Sequence, residues 1–540
     1  MEIHLVTPQS ARPIPIGGEN RSSIPCFDPA TLEPLGEVPV VTPAEVRDRV
    51  ARARRAQRDW QKTPFAERRR VLGRLLDHLL DHASELCHVI ARDAGKTREN
   101  ALLGEVWPVA EKLRHTIAHG ERDLAPERVS SGLLLHKVAT IQYQPLGVVG
   151  VICPWNFPLQ NILGPTVPAL MAGNAVLVKV SEWTAWSTDR FQRIFDEVLS
   201  ETGHSRDLVQ LLTGYAETGA ALIQAPVDKI IFTGSVGNGR RVLATAAETL
   251  TPVILELGGK DPFIVCEDAH VEQAAAAAMS GVFIASGQMC LAAERLYVHR
   301  AVYEQFVDAV VQKTRELRQG PPLAGGIVDV GAMTMPAQVD IVERLVADAV
   351  ARGAEVRVGG QRRPGEGHFF APTVLTGVTP EMDIAREETF GPVMCIQRVD
   401  SDEEAIRLAN DTRFGLGATI VTRDRRRARR MARDIVAGQV SVNDFGLPYM
   451  VNDLPFGGVR DSGFGRLNGR EGIRACTNIK SVLTDRFPVP AAAGLFPVGK
   501  GTFEQARAAI ELLYRRRWRD RARAIVDLAE GIGRQLLGRD

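Results

Sequence analysis

The feature that most constrains the fold is a change of hydrophobic period near residue 147. Before it, a capping box at Thr42-Pro43-Ala44-Glu45 opens a region of helical patterns, with helices predicted to about residue 60, at 65–94 and at 97–119. After it, short apolar runs alternate with helical stretches. Short buried strands separated by helices are typical of parallel sheets with helices on both faces. The sequence therefore predicts an α/β fold.

Two α/β series follow, and each predicts its own sheet. The first predicts strands at 148–153, 175–180, 208–212, 230–233 and 253–257, with helices near 161–172, 184–201, 216–224 and 238–250. The second predicts strands at 263–266, 295–299, 370–376, 393–398, 417–421 and 438–443, with helices at 268–285, 301–318, 338–352, 402–410 and 423–436. We expect Asp268 to open the first helix of the second series. A chain of 540 residues is too long for one hydrophobic core, so we expect two or three domains.

Two candidate strands, 136–144 and 480–486, lie outside both series. Bare strand edges invite aggregation, so a partner subunit is expected to cover them. Residues 1–25 are predicted to be an irregular arm, 487–500 a linker and 502–537 a basic helical tail.

Composition excludes several classes of function. The formal net charge of +1 offers no overall field for nucleic acid. The seven cysteines include no CxxC pair, so we expect neither a zinc ribbon nor another metal site. Free thiols without a signal peptide predict a cytoplasmic protein. The most apolar stretch, 148–153, is too short to cross a bilayer.

Cys290 is the first candidate catalytic residue. It lies in the turn between a predicted helix and a predicted strand, outside any apolar run. A thiol on a loop that rigid elements hold is suited to nucleophilic attack. The alternative is a buried, inert thiol, which we expect for the cysteines inside apolar strands, Cys153, Cys266 and Cys395.

Two polar residues near strand ends complement the thiol. Glu256 interrupts an otherwise apolar strand, so burial should raise its pKa towards neutrality, where a general base works best. An ion pair with Lys260 or Arg295 would also explain a glutamate at this place in an apolar strand. Asn156 follows the strand 148–153, where its NH₂ group would donate to a developing oxyanion. Capping of a turn would equally explain an asparagine at position 156.

Three further motifs suit a dinucleotide. Lys179 and Glu182 follow a strand and suit an adenosine ribose, and the glutamate would repel a 2′-phosphate, which favours NAD over NADP. The run 234–239 ends a strand and opens a helix, where backbone amides attract a pyrophosphate; a tight turn without a ligand is the alternative. Glu388 and Phe390 would hold the nicotinamide riboside, or form only an acidic turn.

In this order the motifs resemble the aldehyde dehydrogenase superfamily, of the NAD(P)-dependent, non-acylating type. The match extends from about residue 25 to 486, and the motifs are PWNFP, KVSE, FTGSVGNG, ELGGK, GQMC, EETFGP and PFGG. Two departures are visible. Val180 stands where members often have proline, and the chain continues past the usual end.

The resemblance implies a Rossmann-like NAD-binding domain, an α/β catalytic domain and a small β arm that builds homodimers or homotetramers. The NAD-binding domain would comprise 26–135 and 147–255, the catalytic domain 256–454, and the arm 136–146 and 455–486. Residues 1–25 and 487–540 would then be an N-terminal arm and a C-terminal tail.

The resemblance also implies roles for individual residues. Cys290 would be the nucleophile and Glu256 the general base, while Asn156 and the Cys290 backbone amide would hold the oxyanion. The implied reaction oxidises an aldehyde to its acid with NAD through a thiohemiacetal and a thioester. The implied cofactor-binding residues are Trp155, Lys179, Ser181, Glu182, Gly234, Ser235, Gly239, Leu257, Glu388 and Phe390.

The substrate is expected to be apolar, a medium or long aliphatic or an aromatic aldehyde. The expected pocket residues are all apolar: Phe157, Met289, Leu291, Met450 and Leu454. No arginine stands beside Cys290 to bind a second carboxylate, which weakens a semialdehyde as substrate. A CoA-acylating enzyme and a catalytically silent scaffold are two competing interpretations of the same fold.

The tail has two interpretations. Apolar residues at mixed helical spacing accompany six arginines between Arg515 and Arg523. A helical pair docked on the body or on a neighbouring subunit is one. Reversible binding to an anionic membrane surface is the other.

Overall fold

The computed structural model describes residues 21–487, 498–499 and 501–536, of which 534–536 are described by their backbone alone. These residues form two compact units. The larger contains the residues up to Pro126 together with Gln142–Lys480, and the smaller contains Glu127–Ile141 and the residues after Lys480. Most of the predicted linker 487–500, and the predicted arm before residue 21, lie outside the described residues.

A strand pair and a helical layer open the larger unit. Its first helix begins at the predicted capping box, where the Thr42 hydroxyl accepts from the Glu45 amide and the Glu45 carboxylate accepts from the Thr42 amide. The first strand already begins at Ser23, within the segment predicted to be irregular. The elements are β1 (Ser23–Phe27), β2 (Pro34–Pro39), α1 (Pro43–Trp60), α2 (Phe65–Asp81), α3 (Ala83–Ala94), α4 (Arg98–Ala101), a π-helical turn (Leu102–Val106) and α5 (Trp107–Leu124). The chain then forms β3 (Glu127–Val129), which belongs to the smaller unit, and β4 (Lys137–Pro145), which begins in it.

The first predicted α/β series forms a doubly wound sheet. Its elements are β5 (Val148–Ile152), α6 (Pro158–Met171), β6 (Ala175–Lys179), α7 (Thr188–Glu201), β7 (Val209–Leu212), α8 (Ala216–Gln224), β8 (Lys229–Gly234), α9 (Val236–Thr249) and β9 (Val253–Leu257). The five strands are parallel in the order β9-β8-β5-β6-β7, and a short antiparallel strand, Gly463–Phe464, lies beside β9. Strand order reverses between β5 and β8. Such sheets bind ligands in the crevice beyond the carboxyl ends of strands at this reversal.

The second series forms a seven-stranded sheet. Its elements are β10 (Asp261–Val265), α10 (Val271–Phe283), β11 (Ala293–His299), α11 (Tyr303–Arg315), α12 (Pro336–Ala351), β12 (Glu355–Val358), β13 (Thr373–Thr376), α13 (Asp383–Arg386), β14 (Val393–Val399), α14 (Asp402–Asn410), β15 (Gly417–Val421), α15 (Arg425–Asp434) and β16 (Gln439–Val442). The order is β12-β13-β14-β11-β10-β15-β16, and only the edge strand β12 is antiparallel to its neighbour. The chain continues through α16 (Leu447–Met450), β17 (Gly463–Phe464) and α17 (Gly469–Arg474). Apolar side chains cover both sheets and form the core.

The smaller unit combines strand pairing with a helical hairpin. The last strand, β18 (Thr477–Asp485), lies beside β4 in the order β18-β4-β3, and Lys137 forms an ion pair with Asp485. The tail forms α18 (Thr502–Tyr514) and α19 (Trp518–Leu536), which pack together. None of the helices described is long and apolar enough to span a membrane.

The α/β prediction is confirmed, two local predictions are wrong, and one strand of the second sheet was missed. The predicted helix 65–94 is divided at His82, whose φ of −106° and ψ of 11° leave the helical region. Asp268 does not open α10; the His270 side chain accepts from the Gln273 amide, because the Asp268 carboxylate is occupied by donors that follow β15, including the Thr422 hydroxyl at 2.8 Å. Strand β12 was not predicted, since its half-exposed sequence lacks an apolar run.

Candidate active site

The Cys290 loop begins in an unusual backbone conformation. Ala285 and Ser286 follow α10 with φ of 50° and 57°, a left-handed conformation that is costly for residues with a side chain. The buried Ser286 hydroxyl donates to the Gly331 carbonyl at 2.9 Å. The Ala285 amide donates to the Asn100 side chain at 2.8 Å. These bonds hold the strained turn in place.

Gln288 fixes the next part of the loop. Its buried side chain donates to the Ala285 carbonyl and accepts from the Thr334 amide, both at 2.9 Å. The loop that presents Cys290 is therefore tied to its own start and to the segment before α12. Sequence reasoning missed Ser286, Gln288 and Thr334 as positioning residues, although Gln288 lies within the GQMC motif and Ser286 immediately precedes it.

Asn156 reaches the same loop from the end of β5. The side chain is buried, and its NH₂ group donates to the Gln288 carbonyl at 3.0 Å. Its Oδ1 atom accepts from the Asn161 amide group at 3.2 Å, which fixes the orientation of the side chain. The amide thus lies beside the loop of the thiol and keeps a second N–H for another acceptor.

A buried ion pair, which the sequence did not reveal, supports Asn156 from behind. The Lys96 ammonium lies 2.8 Å from the Glu105 carboxylate and donates to the Asn156 backbone carbonyl at 2.6 Å. The other Glu105 oxygen accepts from the Leu159 and Gln160 amides, at 2.7 and 3.3 Å, at the start of α6. The pair therefore anchors the whole turn that carries Asn156.

Glu256 is buried without the ion pair that was the alternative explanation. Its side chain projects from β9, next to Thr233 of β8, and the residue is only 3% exposed. Lys260 instead pairs with Glu294 at 2.5 Å, and the Arg295 guanidinium donates to backbone carbonyls. Within residues 21–487 Glu256 has no cationic partner, and its Oε1 atom has no hydrogen-bond donor.

Burial raises the pKa of Glu256 to about 7, and the neighbouring Cys290 thiol and Thr233 hydroxyl act against this rise. Burial also raises the pKa of the Cys290 thiol well above its ordinary value, and the Glu256 charge adds to it. The thiol is therefore protonated at neutral pH and lies next to a carboxylate that can accept its proton. Cys290 is half-buried, while the other six cysteines are buried.

The three cysteines predicted to be inert lie in the cores of the two sheets. Cys153, Cys266 and Cys395 are all buried, and burial raises the pKa of each thiol. For Cys266 and Cys395 the pKa rises to about 12, so these thiols stay protonated at any physiological pH.

The segment 387–391 is more than an acidic turn. The Glu294 carboxylate accepts from the Thr389 and Phe390 amides, both at 2.8 Å, and holds Phe390 at a φ of 49°. The Phe390 ring then meets the Trp155 ring edge-on, with 5.4 Å between centroids. This contact joins the end of β5 to the second sheet.

The Glu388 carboxylate lies near Glu256 and beside the glycine pair that ends β9. It accepts from the Gly259 amide at 3.0 Å, and a Cβ on Gly258 would approach it to 2.3 Å. Burial raises the pKa of Glu388 to about 8, and the charges of Glu294 and Glu256 contribute. The sequence does not predict this crowding of acids.

The remaining candidate cofactor residues line the carboxyl ends of β6, β8 and β9. Lys179 lies 3.4 Å from Glu182, and the Ser181 hydroxyl accepts from the Trp183 amide and caps the turn between them. Ser235 caps α9 by accepting from the Asn238 amide at 3.4 Å.

Two glycines bring the start of α9 close to the sheet. A Cβ on Gly239 would lie 2.6 Å from the Leu257 side chain, and one on Gly234 would lie 2.7 Å from the Phe232 ring. The helix N-terminus therefore opens over the strand reversal, where a pyrophosphate would meet free backbone amides. Carboxylate, ammonium and amide groups in this arrangement fit a dinucleotide.

Two of the expected apolar pocket residues lie in different environments. Phe157 packs against Gly104 and lies under the Lys96 ammonium, 3.8 Å from the ring centroid, while Leu454 is 47% exposed. Near the thiol the structure adds a polar pair that was missed. The Tyr449 hydroxyl accepts a hydrogen bond from the Gln160 side-chain amide. Burial raises the pKa of Tyr449, and the charges of Glu256 and Cys290 add to this rise.

Comparison with known proteins identifies one family. Residues 16–482 match the model of the aldehyde dehydrogenase family. The chain is 37% identical to the 4,4′-diapolycopene aldehyde oxidase of a Methylomonas species over 91% of this chain and 92% of that protein. It also resembles the NAD⁺ complex of an aldehyde dehydrogenase from Bacillus cereus (TM-score 0.81, 31% identity, 86% of this chain and 94% of that one). A succinate-semialdehyde dehydrogenase from Burkholderia pseudomallei is similar at 34% identity, TM-score 0.81, 86% and 94% coverage.

Proposed function

This chain belongs to the aldehyde dehydrogenase family and is an aldehyde-oxidising enzyme, and we propose that it converts an apolar aldehyde to the carboxylic acid with NAD through a Cys290 thioester. The observation that carries the proposal is the contact between a half-buried thiol and a buried carboxylate without an ion-pair partner. Neither group would be stable there as an isolated charge. Together they can exchange one proton.

The first step uses that proton exchange. Glu256 accepts the Cys290 proton as the sulfur attacks the aldehyde carbon, and the carbonyl oxygen becomes an oxyanion in a thiohemiacetal. The second N–H of Asn156 and the Cys290 backbone amide stabilise this oxygen, and removal of one such donor typically lowers kcat by about 10²–10³. NAD, when bound, supplies the hydride acceptor.

Glu256 has a second role after hydride has left. The acyl group is then a thioester on Cys290, and its hydrolysis needs a base to activate water. A carboxylate with a pKa of about 7 is half ionised at neutral pH, which suits it to both proton transfers. The same feature argues against a CoA-acylating enzyme, in which a water-activating base would waste the thioester.

We assign cofactor binding to the residues around the strand reversal. Lys179, Ser181 and Glu182 would bind the adenosine ribose, and Gly234, Ser235 and Gly239 would receive the pyrophosphate, with Leu257 packed beneath. Trp155, Glu388 and Phe390 would hold the nicotinamide riboside. The family uses NAD or NADP, and the Glu182 carboxylate favours NAD because it would repel a 2′-phosphate.

The proposed substrate is a medium or long aliphatic, or an aromatic, aldehyde. Support comes from Met289 and Leu291, the apolar residues on either side of Cys290 in the chain, and from the similarity to a diapolycopene aldehyde oxidase. The semialdehyde alternative has support from the similarity to a succinate-semialdehyde dehydrogenase. A competitive panel distinguishes them: preference for octanal agrees with the proposal, and preference for succinic semialdehyde overturns it.

The domain roles and the assembly are proposals as well. We propose NAD-binding at 26–135 and 147–255, catalysis at 256–454 and an oligomerisation arm at 136–146 and 455–486, in a homodimer or homotetramer. The exposed edge of β18 and its pairing with β4 support the arm. Seven free cysteines favour a reducing compartment such as the cytoplasm.

The test of the proposed chemistry is the Cys290→Ala variant. It should lower NADH formation by about 10⁴-fold or more, because no other group can form the thioester. Cys26→Ala, which removes a buried thiol from β1, is the matched control and should retain activity. Full aldehyde oxidation by the Cys290→Ala enzyme would refute the proposal.

A further inference from the structure

The helical hairpin of α18 and α19 exposes apolar side chains at a regular spacing along each helix. In α19, Trp518, Ile525 and Ile532 recur every seven residues and therefore lie along one side of the helix. Trp518 is 73% exposed, and the other two side chains are also exposed. In α18, Phe503 and Ile510 repeat the pattern, and Phe503 is 72% exposed. We call the α19 row the apolar stripe.

The buried sides of the two helices explain why the apolar stripe faces outward. Among the side chains described for the pair, Ala508 of α18 and Ala524 of α19 are buried, and Leu512 and Leu528 are half-buried. Small alanines let the helices approach closely, and the side chains of the stripe remain exposed. The hairpin therefore stabilises itself without using the stripe.

Exposed arginines without ion pairs lie at the Trp518 end of the stripe. Arg516, Arg517 and Arg519 are exposed, and among the described residues none of them forms an ion pair. Other tail arginines are used within the hairpin: Arg515 pairs with Glu511 at 3.6 Å, and Arg521 donates to the Arg515 carbonyl at 2.6 Å. The charge left over is thus concentrated at the start of α19.

The geometry points to an anionic membrane surface as the partner of this hairpin. At about 100° per residue, Arg519 lies about a quarter of a turn from Trp518. Arg516 and Arg517 immediately precede α19, so these guanidinium groups lie beside the first residue of the apolar stripe. Arginine stems can lie along apolar surface while their guanidinium groups reach lipid phosphates. An interface with a second copy fits less well, because the cores of protein interfaces are depleted of charged residues.

Co-sedimentation of the full chain with vesicles tests this inference. One set is phosphatidylcholine alone, and the other is phosphatidylcholine with phosphatidylglycerol at a ratio of about 3:1. We expect binding to the anionic vesicles alone, weakened by salt, since exposed charges are screened. R516A/R517A/R519A and W518A/I525A/I532A should each reduce binding by about tenfold or more.

The matched control removes the same charge from another basic helix. Arg425, Arg426 and Arg429 of α15 are exposed and, within the described chain, form no ion pair, so R425A/R426A/R429A should bind like the parent. Thermal midpoints show that each variant is folded. Equal loss in the α15 control, or unchanged binding of the tail variants, would overturn the inference. So would absence of vesicle binding together with a changed subunit number in W518A/I525A/I532A, which would show that the stripe covers a second copy.

Discussion

The buried carboxylates of Glu105 and Glu294 share one arrangement, and that of Glu256 has another. Glu105 and Glu294 each bind a buried lysine ammonium, at 2.8 and 2.5 Å, and each accepts two backbone amides. Glu256 has no ammonium, and its Oε1 atom has no donor among the described residues. All three side chains are almost completely buried.

The comparison separates carboxylates that hold structure from one that can move a proton. An ammonium and two amide donors satisfy each paired carboxylate and tie it to the backbone of the neighbouring turn. Without them, burial favours the protonated form and brings the pKa of Glu256 to about 7. The two paired glutamates hold the Asn156 turn and the Phe390 turn on either side of the thiol.

The largest effect is expected from removing the unpaired carboxylate, and it should fall on deacylation. Glu256→Gln removes the base but keeps the shape, so thioester hydrolysis should slow by about 10²–10⁴-fold. The attack of the thiol loses the same base, but it also loses the Glu256 charge that raises the pKa of Cys290. Hydride transfer should therefore be less affected than hydrolysis, and a burst of NADH should precede a slow steady state. Rapid-mixing absorbance at 340 nm measures both phases, and mass spectrometry should detect the acylated Cys290.

The matched variant for this prediction is Asn156→Ala, which removes an oxyanion donor but leaves the base. It should slow the first phase and show no accumulated thioester. An unchanged steady-state rate of NADH formation in the Glu256→Gln enzyme would show that another group activates water. The absence, among the described residues, of an ion-pair partner for Glu256 would then have no role in catalysis.

The sequence singled out Glu256, Cys290 and Asn156 as candidates because each interrupts or follows an apolar strand or lies in the turn before one. Chemistry at strand ends follows from the period of the sequence, and the strand order β9-β8-β5-β6-β7 then brings β9 and β5 to one crevice. The ordered motifs added the family. The fold class and the reaction class were therefore predictable.

The pairing of the charges was not predictable. Lys260 is close to Glu256 along the chain, yet it pairs with Glu294, because β10 and β11 are adjacent in the second sheet. Lys96 reaches Asn156 only through the packing of the π-helical turn against α6. Such contacts depend on register and packing, which no local pattern encodes.

A smaller effect, on stability, is expected when one member of the buried Lys96–Glu105 pair is removed. Lys96→Met leaves Glu105 buried and unpaired, which should lower the free energy of unfolding by about 3–5 kcal/mol. The double variant K96M/E105Q should recover much of this loss, because glutamine still accepts from the amides of α6 without a charge. Urea unfolding of the single and double variants at one protein concentration measures the coupling between the two residues. Equal destabilisation by the single and double variants would mean that the pair contributes only packing.

The smallest expected effect is a pH dependence of stability that belongs to the unpaired carboxylate. The pKa of Glu256 rises from 4.5 to about 7 on folding, so between these values the folded protein holds a proton that the unfolded chain releases. Glu256 therefore lowers stability as pH rises through this window, by about 3 kcal/mol in total. Urea unfolding of Glu256→Gln should show a stability gain over the parent that is small at pH 5 and largest at pH 8. Glu388→Gln should show the same sign up to about pH 8, because burial raises the pKa of that carboxyl too. A gain for Glu256→Gln that stays constant from pH 5 to 8 would mean that this carboxylate is ionised throughout, so its pKa is not raised and it is a much weaker base than the one proposed to take the proton from Cys290.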